Sequence, residues 1–182
     1  MARRANDTQS ILRHWREAVP NDRFAHLVKD ATRALVRGLQ IRLAEHKVSF
    51  GHWAFLRILW ERDGLTQSEL SEQAGVMEPT TFSAIKAMER LGYVVRRQAP
   101  HNRKNIFVHL TPKGRYLEHR LVPLAEAVNN IALRGISPAS VKATRDVLIA
   151  VIDNLAKDEA LRNIPMPSTR ALAQPRLRRK RA

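Results

Sequence analysis

Residues 65–110 carry the pattern that most restricts the fold. Thr66 opens a helix with Glu69 three residues on, a capping box in which the two residues satisfy each other's free amides. Leu70 and Ala74 supply its apolar contacts, and Gly75 ends it. After a tight corner at Gly75, Val76 and Met77, a second helix starts. Glu78 is its expected cap, and Pro79 suits its first position, where no amide hydrogen is needed. Gly92 closes it. The β-branched and aromatic runs Tyr93-Val94-Val95 and Ile106-Phe107-Val108 then flank a polar loop at residues 98–105. Helix, tight turn, helix and hairpin in this order describe a helix-turn-helix with a wing, a module suited to holding DNA.

The period of the second helix sorts its faces. Thr81, Ala84, Ile85 and Met88 recur at core-facing spacing. Pro79, Ser83, Lys86 and Arg90 fall opposite, with Thr80 and Ala87 beside them. Small and hydroxylic residues let a helix sit deep in a major groove, where Lys86 and Arg90 reach phosphates or base edges. Phe82 falls on the flank, where it meets either a thymine methyl or the neighbouring helix. In the loop, Arg103 and Lys104 are adjacent cations, and a guanidinium at a flexible tip suits a narrow minor groove. The candidate DNA contacts are therefore Thr66, Gln67, Thr80, Thr81, Ser83, Lys86, Arg90, Arg103 and Lys104. Thr81 stands in both the core set and this one.

Long amphipathic helices flank the module. One is expected from residue 23 to about residue 46, with Leu35, Leu39 and Leu43 in a stripe. Another begins at Thr111 and Pro112, carrying Leu117, Leu121, Leu124, Val128 and Ile131. A further helix, to about Lys157, presents Val141, Leu148, Val151, Ile152 and Leu155. None has enough internal partners to bury its stripe, so a homodimer with interleaved terminal helices is expected. The fold class is mainly α with a small β-wing: a winged helix-turn-helix with N- and C-terminal dimerisation helices. The expected organisation is an N-terminal arm with a short helix (1–22), a helical dimerisation region (23–47 and 112–160), the winged module (48–111) and a basic tail (161–182). The first residues of the arm are expected to be disordered, and the loop at residues 48–51 to precede a strongly apolar helix over 52–62.

Charge narrows the partners. The chain of 182 residues has 32 Lys and Arg against 17 Asp and Glu, a formal charge of +15 that favours a polyanion. The tail, with Arg170, Arg176, Arg178, Arg179, Lys180 and Arg181, is expected to add non-specific phosphate attraction. With no cysteine, disulfides and thiolate metal sites are excluded. No apolar run approaches membrane-spanning length and the first residues show no signal region, so a cytoplasmic protein without a membrane partner is expected. No His-Glu-x-x-His, glycine-rich phosphate loop or nucleophile elbow occurs, so neither an enzyme nor a cofactor is expected.

The ordered set Gly64-Leu65-Thr66-Gln67-Ser68-Glu69-Leu70-Ser71, Glu78-Pro79-Thr80-Thr81, Met88-Glu89-Arg90-Leu91-Gly92-Tyr93-Val94 and His109-Leu110-Thr111-Pro112-Lys113-Gly114 resembles the MarR family of winged-helix regulators. Trp53-Ala54-Phe55-Leu56-Arg57-Ile58-Leu59-Trp60-Glu61 also matches. The resemblance covers roughly residues 23–157. It departs in the wing, where the family's Asp-x-Arg pair is replaced by Asn102-Arg103-Lys104. Either Arg103 or Lys104 takes the groove-inserting role.

The resemblance implies a dimer on a pseudo-palindromic operator, double-stranded DNA with one half-site per subunit. It also implies repression relieved by a small aromatic effector, a phenolic or aromatic acid or its thioester. The family's pocket, between dimerisation helices and winged module, corresponds here to Phe50, His52, Trp53, Arg57 and Trp60. Trp53 is placed to stack an aromatic ring, and Arg57 or His52 to pair with a carboxylate. At helical spacing, Trp53 and Trp60 also suit plain core. The alternative to such a regulator is an architectural DNA-binding protein, indifferent to sequence and without a pocket.

Overall fold

The computed structural model describes residues 8–17, 23–99 and 102–158, with the backbone alone at 99 and 102–105. The elements are α1 (Thr8–Glu17), α2 (Phe24–Ala44), α3 (Phe50–Glu61), β1 (Leu65–Thr66), α4 (Gln67–Ala74), α5 (Glu78–Arg90), β2 (Val94–Ala99), β3 (Asn102–Leu110), α6 (Pro112–Ala132) and α7 (Pro138–Ala156). They divide into two compact units, one through Ala132 and one from Leu133. The expected disorder of the first residues and the basic tail lie outside the described residues. No helix among the described residues is long and apolar enough to cross a membrane.

Local chemistry sets the helix boundaries. α3 starts earlier than the expected loop allows, because Ser49 caps it by accepting from the His52 amide at 3.1 Å. Thr66 and Glu69 form the full capping box of α4, and Gly75 ends that helix at φ 63°. Glu78 is not the cap of α5. Met77 holds that position without a side-chain bond, and Glu78 occupies the first turn, where its carboxylate accepts from Ser68 Oγ at 3.1 Å. Ser137 caps α7 by accepting from the Ser140 amide.

The sheet has three antiparallel strands in the order β1-β3-β2. The short strand β1 precedes α4, pairing Leu65 with Val108 and Thr66 with Phe107. The hairpin is also longer than its polar sequence indicated. β2 and β3 pair from Val94↔Leu110 out to Ala99↔Asn102, with an irregularity between Gln98 and Ala99. Arg103 and Lys104 consequently fall within β3 rather than in a loop.

One aliphatic core joins these elements. Leu39 and Leu43 of α2, Leu56 and Leu59 of α3, Ile85 and Met88 of α5, and Leu117 and Leu121 of α6 are buried in it with Val94 and Val108 of the sheet. Asp63 ties the end of α3 to the sheet and to α6. Its carboxylate accepts from the amides of Gly64 at 3.0 Å and Leu110 at 2.8 Å, and from Arg115 at 2.6 Å. Gly64 sits at φ 75°, and a Cβ there would lie 2.8 Å from the His109 ring.

The second unit is different in kind. No residue of α7 is buried, and Val147, Ile149, Ile152 and Leu155 are all exposed, Ile152 to 69%.

Candidate nucleic-acid interface

The angle between α4 and α5 is set at their crossing. Ser71 Oγ and Thr81 Oγ1, both buried, share a hydrogen bond of 2.8 Å, and Ser71 Oγ also lies 2.9 Å from the Gln67 carbonyl. Leu70 from α4 and Ile85 and Met88 from α5 close the apolar layer around them. Thr81 is therefore corrected from a DNA contact to a core residue. It is 0% exposed, because the 3.6-residue period turns it inward with Ile85 and Met88. Thr81→Val, which keeps the shape and removes the hydroxyl, is expected to cost about 1 kcal/mol in urea unfolding. The DNA affinity of the folded protein should not change. A weaker affinity at unchanged stability would return Thr81 to the interface.

With that face buried, α5 presents Pro79, Thr80, Ser83, Lys86 and Arg90 to solvent, with Ala87 half-buried beside them. Ser83 donates its hydroxyl hydrogen to the Pro79 carbonyl at 2.9 Å, leaving its oxygen as an acceptor. Among the described residues, neither Lys86 nor Arg90 forms an ion pair. Gln67 is half-exposed at the start of α4. The Thr66 hydroxyl is committed to the cap: it donates to the Glu69 carboxylate at 2.8 Å and accepts from the Glu69 amide at 3.2 Å. Arg103 and Lys104 are placed by their backbone near the far end of the hairpin.

Reading along the chain missed the brace between α5 and the wing. Arg96 of β2 donates to the Glu89 carboxylate through Nε at 2.9 Å and through its terminal nitrogen at 2.8 Å. Its amide also points at Glu89, at 3.4 Å. The only signal in sequence is an acid seven residues before a strand arginine, which does not distinguish a brace from two solvated charges. The Arg96 hydrogen bonds hold the Glu89 carboxyl below its ordinary range, against a smaller opposing effect of burial. A carboxyl lowered on folding stabilises above its unfolded pKa and loses that contribution as pH falls through the folded value. Glu89→Gln should therefore melt lower than the natural protein at neutral pH, and the gap should close under acid. A gap independent of pH would show that the brace is not ionic.

The candidate ligand residues are partly gathered. Trp53 is buried and meets Trp60 edge to face at 5.5 Å between centroids, and Trp60 Nε1 donates to the Gly114 carbonyl at 3.0 Å. Trp53, Arg57 and Trp60 line a cavity of about 270 Å³ against α6. Phe50, Trp53 and Arg57 line a neighbouring one of about 220 Å³ between α2, α3 and α6. His52 lines neither cavity; its Nδ1 is buried without a hydrogen-bond partner among the described residues, and burial lowers its pKa. Arg57 is exposed and lies 3.6 Å from Glu61. The α6 side of the first cavity, Glu118, Val122, Ala125, Glu126 and Asn129, was not anticipated. Their i, i+4, i+7, i+8, i+11 spacing marks one helical stripe, a signal present in the sequence but not tied there to the ligand residues of α3.

The fold and the exposed face of α5 define a winged helix-turn-helix protein. The MarR family model matches residues 48–106. The crystal structure of transcriptional regulator PA3341 is 30% identical, with a TM-score of 0.66 over 74% of this chain and 98% of that one. A putative MarR family transcriptional regulator from Listeria monocytogenes, solved in complex with a 26mer DNA, is 25% identical, with a TM-score of 0.69 over 81% of this chain and 99% of that one. The HTH-type transcriptional regulator TtmR of Methylorubrum extorquens is 27% identical over 126 residues, which are 69% of this chain and 60% of TtmR. The chain thus spans under two thirds of that relative's length. The chain belongs to the MarR family.

Proposed function

We propose that this protein is a dimeric, ligand-responsive transcriptional regulator, a repressor that holds a pseudo-palindromic operator and releases it when a small aromatic effector binds. The observation that carries the proposal is the outward face of α5. Its hydroxyl and small residues stand beside two cations that form no ion pair among the described residues, while the opposite face is locked into the core. A Listeria monocytogenes relative solved with DNA supports the same use of this fold. Thr80, Ser83, Lys86 and Arg90 then enter the major groove, with Gln67 at its edge, and Arg103 or Lys104 reaches the minor groove from the wing.

The dimer is supported by apolar surface that the described chain leaves uncovered. Phe24, Leu27 and Leu35 on α2, and Ile149, Ile152 and Leu155 on α7, are exposed. Contiguous apolar faces of this kind mark association surfaces. Two reading heads related by a two-fold axis require half-sites about one helical turn apart.

The effector site of this proposal is the cavity beside Trp53. Trp53 and Trp60 supply an aromatic wall, and Arg57 is the cation among the residues lining it. An aromatic acid takes Arg57 from Glu61, with Glu118 and Glu126 favouring compact ligands that keep their carboxylate at Arg57. Release follows if the ligand favours a dimer whose reading heads no longer match the operator; equal affinity for both arrangements would shift nothing.

The test is enrichment of duplexes from a random pool by the full chain. Two-fold symmetric half-sites centred about ten base pairs apart are expected. A pool that stays random would favour the architectural alternative. Thermal-shift screening of hydroxybenzoates and their thioesters then tests the cavity: a binder raises the melting temperature of the natural protein but not of Arg57→Ala.

A further inference from the structure

We propose that Phe82 reads the 5-methyl group of a thymine in each half-site, with Lys86 and Arg96 as the cation neighbours of its ring. The inference rests on the proposed DNA-reading role of α5 and assigns to it a specificity determinant outside the polar face.

Phe82 follows buried Thr81 by one residue, which turns its side chain about 100° from the core and toward the wing. It is 47% exposed, so the core does not account for it. It precedes Lys86 by one turn, and Lys86 Nζ lies 6.0 Å from the ring centroid. The Arg96 guanidinium, from β2, also lies 6.0 Å from the centroid. Arg96 is held there by its two bonds to Glu89 at 2.9 and 2.8 Å. The ring therefore has two cation neighbours at equal distance, one from the groove-facing side of α5 and one from the wing strand. Cations over an aromatic face are attracted to it and restrict the ring without covering it with apolar atoms.

Once α5 lies in a major groove, Lys86 is drawn to the polyanion and the ring beside it is carried toward the base edges. The thymine methyl is the apolar group that those edges offer, and phenylalanine is among the side chains that meet it. The hydrogen-bonding groups of α5 read donors and acceptors; Phe82 adds the largest apolar contact for the methyl group, beside the smaller methyls of Thr80 and Ala87. Arg96 is a positioning residue in this arrangement, acting through the ring.

The test replaces thymine by deoxyuridine, which removes the methyl group and leaves every hydrogen-bonding atom in place. The probe is the duplex enriched from the random pool by the full-length natural protein. At one symmetric pair of thymines, the replacement is expected to weaken binding about fourfold per half-site and about fifteenfold for both, as expected for removing one buried methyl at each. Phe82→Ala should bind the thymine and uracil duplexes equally, and Phe82→Leu, which keeps apolar bulk, should retain part of the discrimination. Because Phe82 is half-exposed, both variants should melt near the natural protein. Indifference of the natural protein to uracil at every position, or full discrimination by Phe82→Ala, would overturn the inference alone. A pool without enrichment would overturn the DNA-reading proposal and this inference with it.

Discussion

The double substitution Lys86→Ala with Arg90→Ala is expected to lower operator affinity about a thousandfold while leaving the melting temperature unchanged. Both side chains are exposed, and no ion pair among the described residues depends on them. In the proposed dimer the change removes four cations from the reading surface, and each cation on a phosphate or base edge contributes about 1 kcal/mol at the low end of the usual range. Salt dependence separates the two kinds of interaction. If the cations bind phosphate, the logarithmic salt slope flattens by nearly one for each phosphate no longer neutralised. If they reach base edges, the slope changes less and discrimination between operator and random DNA relaxes. An unchanged affinity would remove both residues from the interface.

Gly114→Ala is expected to be the most damaging single-methyl change, at about 3 kcal/mol in urea unfolding and a melting temperature lowered by about 9 °C. A Cβ at this position would fall on the Tyr93 carbonyl oxygen, with Leu110 also close. That oxygen cannot withdraw easily, because it accepts from the Thr111 amide at 3.0 Å and from the Thr111 hydroxyl at 3.2 Å. The Gly114 carbonyl in turn receives the Trp60 indole. The substitution therefore pushes α6 away from both the sheet and α3, and the cavity beside Trp53 should distort with it. A destabilisation under 1 kcal/mol would mean that α6 shifts at little cost.

Much of the fold was legible because its signals are local. The Thr66–Glu69 capping box, the helix-ending Gly75 and Gly92, and the buried period of Ile85 and Met88 each need only a few neighbouring residues. The errors occurred where a distant element decided. Leu65 and Thr66 form a strand because Val108 and Phe107 lie beside them. Asn102 to Asn105 read as loop because they are polar, but they fall within β3, with Asn102 opposite Ala99 and an irregularity before the next pair, Gln98 and Ile106. Thr81 was placed both in the core and on DNA, since a threonine suits either; Ser71 on the opposing helix settles it as buried.

The site was less legible for the same reason. The outward face of α5 follows from helical period alone. The brace from Glu89 to Arg96 and the approach of Arg96 to Phe82 depend on where β2 returns, which no local pattern states. The cavity needs α6 against α3, so the pattern of α3 points to Trp53 and Arg57 but not to Glu118 and Glu126. Gly114 stood in the matched motif, but its reason, a carbonyl with no room for a methyl group, is visible only in three dimensions.

Sequence-specific reading by a dimer is the central claim, and competition binding tests it most directly. The full chain, bound to the enriched duplex, is challenged at physiological salt with unlabelled copies of that duplex or with a scrambled duplex of equal length and composition. A preference of about a thousandfold or more for the enriched duplex is expected. Equal competition by the two at matched salt would contradict the claim and leave a protein that holds DNA by charge alone.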